Sequence, residues 1–266
     1  MKQQHNLLGN ANKPMIRGTS VWSKPSSNYG LSENEVHVWR STLDLSDSTW
    51  ALMWESLSDE ERERADRFRF HADRNRSVIG RGLLRLLLRL ILRTPSDQLK
   101  FEYNEFGKPR LISQRRLDFN LSHSGEWVIL AIAMDRAVGI DIEKIRPDLA
   151  VDEIASQYFS VNERNSLQRL DGDKRVKAFF SCWTLKEAYL KARGGGLSIA
   201  LDSFDVSLGA GDESRLLDTR PDPADVGRWA LQTLDLGRNY CAALVVEGFD
   251  WELKCFDWRA AEGIFC

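Results

Sequence analysis

The run Ala137-Val138-Gly139-Ile140-Asp141-Ile142-Glu143 alternates small or apolar residues with others, as a β-strand does. A period of two puts Asp141 and Glu143 on one face and Ile140 and Ile142 on the other. The two faces make opposite demands on the fold. One needs a core, while the other sets two carboxylates side by side, where they repel and cannot be packed unless a cation offsets them. Two readings fit this pattern. Either the strand is an exposed edge with its acids turned to water, or the acids belong to a Mg²⁺ site completed by waters and a substrate phosphate.

The rest of the chain narrows the setting. Its 266 residues suffice for one large domain or two modest ones, each with a full core. A hydrophobic share of 42% and a charged share of 29% are ordinary for a globular protein. The net charge of −2 gives no push towards nucleic acid or membrane, so neither is expected as a partner. Cys182, Cys241, Cys255 and Cys266 show no C-x-x-C spacing, which speaks against zinc and a disulfide framework and for a reducing cytoplasm. Residues 1–35 lack the apolar core of a signal peptide and read as a flexible arm. The apolar run Leu83 to Leu92 is interrupted by Arg85 and Arg89 and is too short to span a bilayer.

Pattern and caps predict the elements in order. Val36 to Trp39 is an opening strand and Asp44 to Ser56 a helix. Ser58 caps the next helix, with Glu60 and Glu61 in its first turn. A longer helix spans Arg74 to Arg93, with Ile79, Leu83, Leu86, Leu87, Leu90 and Ile91 as its apolar face. Its stripe of Arg81, Arg85, Arg89 and Arg93 is expected to face water. Strands follow at Leu99 to Tyr103, Leu117 to Leu121 and Trp127 to Met134, then the acid strand. Helices are expected at Asp152 to Tyr158, Val161 to Leu170 and Lys174 to Ala192, the last ended by Gly194-Gly195-Gly196. Four strands, Ser203 to Leu208, Arg228 to Leu234, Tyr240 to Val246 and Trp251 to Phe256, close the chain, with a surface loop over 209–227.

Several short motifs accompany the acid strand. Gly107-Lys108-Pro109 presents a lysine on a tight turn, suited to a point-charge phosphate contact. Asn120-Leu121-Ser122-His123-Ser124 sets a histidine among small polar residues at a strand end, where a phosphate would raise its pKa. Trp183-Thr184-Leu185-Lys186-Glu187-Ala188-Tyr189-Leu190-Lys191 carries a third acid on a helix. Taken alone, each has a bland alternative: a turn lysine, a capping histidine, a solvated Glu187–Lys191 helix pair. In this order, with Leu201 to Phe204 after them, they resemble the 4′-phosphopantetheinyl transferases, specifically the larger pseudodimeric, surfactin-synthetase-activating class. The resemblance covers roughly residues 58–208.

That resemblance implies an α+β pseudodimer of two similar halves, 36–135 and 136–266, with the active site in the cleft between them. The first half would bind coenzyme A and the second would hold the metal and the catalytic groups. The activity implied is Mg²⁺-dependent transfer of 4′-phosphopantetheine from coenzyme A to a serine of acyl or peptidyl carrier proteins of polyketide, nonribosomal peptide or fatty acid synthases. Mn²⁺ should be tolerated. Asp141, Glu143 and Glu187 would ligate the metal. Arg64, Arg76, Ser77, Lys108, Ser122, His123, Lys186 and Lys191 would contact coenzyme A. Glu187, Asp141 and Lys191 would be catalytic, with Glu187 the first candidate for general base and Glu163 a secondary group near the pantetheine. One chain should suffice as a monomer, because only the second half carries the carboxylate set. Two alternatives stand beside this reading: a catalytically silent module that binds coenzyme A and carriers, and a metal-dependent phosphohydrolase.

Overall fold

Strand and helix formation follow the sequence pattern closely over most of the chain. The computed structural model describes residues 20–26, 29–208, 213–220 and 222–261. The first half contains β1 (Trp22–Ser23), β2 (Glu35–Thr42), α1 (Asp47–Glu55), α2 (Asp59–Asp66), α3 (His71–Leu92), β3 (Phe101–Tyr103), β4 (Pro109–Leu111), β5 (Leu117–Ser124) and β6 (Trp127–Met134). The second begins with β7 (Val138–Lys144), α4 (Val151–Tyr158), α5 (Val161–Gln168) and α6 (Gly172–Arg193). It ends with β8 (Phe204–Val206), β9 (Leu216–Thr219), β10 (Trp229–Leu234), β11 (Tyr240–Glu247), β12 (Glu252–Asp257) and α7 (Trp258–Ala261).

Two sheets lie back to back. The larger runs β1-β12-β2-β6-β5 and the smaller β10-β11-β7. Their facing sides share one apolar layer, in which Val36, Val38, Ile129 and Ala131 meet Val138, Ile140, Ile142, Ala242 and Leu244. The outer face of the large sheet is covered by α1 to α3, through Trp39, Phe119, Leu130 and Leu83. The outer face of the small sheet is covered by α4 to α6, through Phe179, Leu185, Tyr189 and Val245. The result is an α+β molecule of two helix-backed halves joined through their sheets, as the fold expectation had it. Among the described residues no helix is long and apolar enough to cross a membrane.

Four differences from the sequence reading have physical causes. The helix expected from Arg74 begins at His71, so Arg76 and Ser77 sit in its second turn, beyond its free N–H groups. The arginine stripe is solvated only in its second half: Arg89 and Arg93 are exposed, but Arg85 is only 3% exposed and pairs with Glu61 at 2.5 Å, while Arg81 pairs with the same carboxylate at 2.7 Å. Glu61 also closes a capping box with Ser58, so one acid caps α2 and ties it to α3. β12, from the far end of the chain, pairs in parallel with β2 and completes the first half's sheet. The described part of the expected arm is anchored there too, since Trp22 and Ser23 pair with Cys255 and Phe256. Residues 1–19 lie outside the described residues.

Candidate active site

The site forms where β5 and β7, the facing edges of the two sheets, run alongside each other under α6. On β5 the apolar Leu117, Phe119 and Leu121 turn towards α3. The intervening Asp118, Asn120, Ser122 and Ser124 therefore face the other way, towards β7. On β7 the isoleucines enter the shared apolar layer, which leaves Gly139, Asp141 and Glu143 facing α6. Gly139 is what lets the helix arrive. A Cβ there would fall on the Ala188 carbonyl oxygen and the Ala192 amide nitrogen, so α6 lies directly on the strand at that point. Ala188 and Ala192, four residues apart, form the small face of α6 that makes this contact, and both are buried. The neighbouring residues Glu187 and Lys191 are thereby carried to Asp141.

Asp141 is 5% exposed. Its Oδ1 accepts from Lys191 Nζ at 2.7 Å and from Ser122 Oγ at 2.9 Å, while Oδ2 is buried without a partner. Lys191 also donates to Ser122 Oγ at 3.1 Å and to the Ile140 carbonyl at 3.3 Å. Lys191 makes this contact across the seam, and the solvated Glu187–Lys191 helix pair that spacing alone allowed does not form. Glu143 accepts from Ser124 Oγ at 3.0 Å. Desolvation, then the neighbouring Asp141 charge, raises the Glu143 pKa. Desolvation, then Asp141, raises that of Glu187, with Glu143 adding to the effect and Lys191 opposing it. Both glutamates thus feel the Asp141 charge, a situation a divalent cation relieves. No group of three His, Cys, Asp or Glu side chains among the described residues stands already arranged to hold a metal. The unpartnered Asp141 Oδ2 and the two uneasy glutamates fit one nonetheless.

The first half contributes basic side chains near the same seam. His123, the last residue but one of β5, lies on its α3 side and is exposed. Desolvation, then the Arg76 guanidinium, lowers its pKa, and Lys191 acts in the same direction. Arg76 donates to Asp73 Oδ1 at 2.7 Å and to the Gly125 carbonyl at 3.0 Å, and its buried Nε has no partner. Ser77 follows it on α3, half-buried. Lys108 donates to Asp118 Oδ2 at 3.0 Å and to the Val138 carbonyl at 3.2 Å, which leaves it one ammonium proton. Arg64 is exposed on α2.

Two expected site residues are placed elsewhere. Lys186 is fully buried, donates to the Leu201 and Phe204 carbonyls at 2.8 and 2.6 Å, and pairs with Glu163 at 2.8 Å. Glu163, itself 1% exposed, also accepts from Val206 N at 2.9 Å and closes a capping box with Ser160. Helical geometry explains the correction: Lys186 and Glu187 are adjacent and so point about 100° apart, one into the core and one to the seam. Lys186 is enclosed in the core with its donors engaged, and Glu163 is its buried partner. Sequence reasoning missed Asp118, Asn120 and Gly139. The polar alternation of β5 was the available signal for the first two.

Comparison with known proteins gives the family. Residues 137–245 match the 4′-phosphopantetheinyl transferase superfamily, and residues 37–135 match the family described as 4′-phosphopantetheinyl transferase, N-terminal. The 4′-phosphopantetheinyl transferase HetI of Nostoc sp. is 36% identical over 237 residues, spanning 88% of this chain and 97% of that protein. The 4′-phosphopantetheinyl transferase Sfp of Bacillus subtilis is 38% identical over 152 residues, 57% of this chain and 66% of that one. A holo-(acyl-carrier-protein) synthase from Bacillus anthracis, solved in complex with CoA (3′,5′-ADP), overlaps 42% of this chain and 95% of its own, with 22% identity and a TM-score of 0.36. The chain belongs to the two-domain 4′-phosphopantetheinyl transferases, enzymes that move 4′-phosphopantetheine from coenzyme A to carrier proteins.

Proposed function

We propose that coenzyme A lies along the β5–β7 seam and that a carrier serine attacks its β-phosphorus there, releasing adenosine 3′,5′-bisphosphate. The observation that carries this reading is the meeting of Asp141 with Lys191 and Ser122 across one seam, with Glu143 and Glu187 near enough to feel the Asp141 charge. Asp141, Glu143 and Glu187 would hold Mg²⁺, or Mn²⁺ in its place, since both accept hard oxygen ligands. The bound ion would draw charge from the pyrophosphate and orient it. Around it, the chain's own groups do the rest. Lys191 and His123 neutralise phosphate oxygens, and the unpartnered Nε of Arg76 offers a further donor. Ser77, Lys108 and Ser122 complete the phosphate contacts, and Arg64 reaches the nucleotide end. Glu187 is the first candidate to take the serine proton. Residues 36–135 thus supply the nucleotide grip, and the part beginning at 136 supplies the acids and Lys191.

One chain contains the whole site, so it works as a monomer. Its partners are acyl and peptidyl carriers of polyketide, nonribosomal peptide and fatty acid synthases. Free buried thiols at Cys182, Cys241 and Cys255 suit the reducing cytoplasm. Asp141→Ala and Glu187→Ala test the assignment. Each should lower transfer on the order of a hundredfold or more, with a much smaller loss of coenzyme A affinity, because the phosphate cations still hold the ground state. Equal losses in turnover and affinity would contradict it.

A further inference from the structure

β5 and β7 are edges of different sheets, and neither pairs its backbone with the other. An open edge of this kind ordinarily leaves N–H and C=O groups wanting partners. Along β7 those partners are side chains. Asp118 Oδ2 accepts from Val138 N at 3.0 Å, Asn120 Oδ1 from Ile140 N at 2.8 Å, and Ser124 Oγ from Lys144 N at 3.0 Å. Each rung joins residues 20 apart in the chain. A second series runs from hydroxyl to carboxylate with an offset of 19: Ser122 to Asp141 and Ser124 to Glu143. The Val138 and Ile140 carbonyls receive Lys108 and Lys191. A constant offset means that β5 fixes the register of β7 residue by residue. Slipping by one position would turn Asp141 and Glu143 into the apolar layer and bring the isoleucines out.

We infer that Asn120 and Ser124 are positioning residues for the acid strand. Asn120 fixes the height of the Ile140–Asp141 peptide. Ser124 accepts from Lys144 N, which leaves its single proton for Glu143 and aims that carboxylate. The inference rests on the three-carboxylate metal reading above. Outer partners that orient ligands in this way are worth about 10–100-fold in metal affinity.

Mn²⁺ binding to the full chain, followed by the electron paramagnetic resonance signal of the free ion, tests this. Ser124→Ala should weaken Mn²⁺ about tenfold while coenzyme A affinity measured without metal stays unchanged. Ser124→Thr, which keeps the hydroxyl, should bind Mn²⁺ more tightly than Ser124→Val, which has the same shape without it. That pair separates the hydroxyl from a packing defect. Amide exchange at Ile140 should quicken in Asn120→Ala and stay slow in Asn120→Asp, which keeps the acceptor. Folded Ser124→Ala and Ser124→Val that bind Mn²⁺ as tightly as the wild type would overturn the inference and leave the carboxylate reading standing. Absence of saturable Mn²⁺ binding by the wild type would remove the carboxylate reading and this inference with it.

Discussion

Gly139→Ala is the smallest change that should disable the site without touching a charged group. The added methyl would have Ala192 Cα at 2.9 Å, and the Ala188 carbonyl oxygen and Ala192 nitrogen closer still. Carbon atoms in ordinary contact stand about 3.5–4.0 Å apart, so α6 must withdraw by roughly 1 Å. The atoms it meets are backbone, and no rotamer change relieves them. Overpacking of this kind costs about 1–3 kcal/mol of stability. The same withdrawal stretches the Lys191–Asp141 contact from 2.7 Å to about 3.7 Å, beyond hydrogen-bond reach, and moves Glu187 with it. Misplacing reacting groups by that distance costs on the order of a hundredfold in rate. Initial rates of carrier modification at saturating coenzyme A, run beside urea unfolding, read both effects. Gly30→Ala, whose methyl meets nothing within 4 Å, is the control. Wild-type turnover together with an unchanged unfolding midpoint in Gly139→Ala would refute the claim that helix–strand contact sets the site.

Further outcomes follow from the charges. Glu187 has a raised pKa, so the folded chain holds its proton more tightly than the unfolded one, and the stability it contributes at low pH is lost as pH rises through the folded value. Glu187→Gln should therefore melt higher than the wild type at pH 7 but not at pH 4, and the gap should narrow when Mg²⁺ stabilises only the wild type. His123 has a lowered pKa in the free chain, and phosphate should raise it, so coenzyme A binding near pH 6.5 should take up protons, seen by calorimetry in buffers of different ionisation heat. His123→Ala should abolish that uptake; if the uptake persists, another group carries it. Lys186→Met strands Glu163 in the core and should cost about 3–5 kcal/mol of stability, with Lys186→Met/Glu163→Gln recovering much of it. Specific activity should hold constant on dilution through the nanomolar range, and a fall accompanied by dissociating dimers in light scattering would count against a monomer.

What the sequence made legible was local, and what it hid was long-range. Alternation located the acid strand, and the cap at Ser58 located a helix start, because those signals lie within a few residues of what they control. The seam was visible only as fragments. Nothing near Asn120 says that its carboxamide meets an amide 20 residues on, in another sheet. Lys186 misled for the opposite reason. It lies beside Glu187 in one motif, yet the helix turns it into a cage of carbonyls and Glu163 that only the tertiary fold assembles. Arg85 read as solvated because its stripe is periodic, while its partner Glu61 lies on a different helix. The two-residue strand at Trp22 and the crossing of β12 into the first sheet depend on pairing between chain ends, which no local pattern encodes.

The central claim is that this seam transfers phosphopantetheine, and the intact mass of a carrier tests it most directly. Purified chain, coenzyme A, Mg²⁺ and an apo-carrier should yield a carrier heavier by roughly 340 Da, one phosphopantetheine by composition, with adenosine 3′,5′-bisphosphate released in equal amount. The gain should vanish when the carrier serine is replaced and when Asp141→Ala is used. A carrier of unchanged mass, or coenzyme A cleaved without any gain on the carrier, would contradict the account.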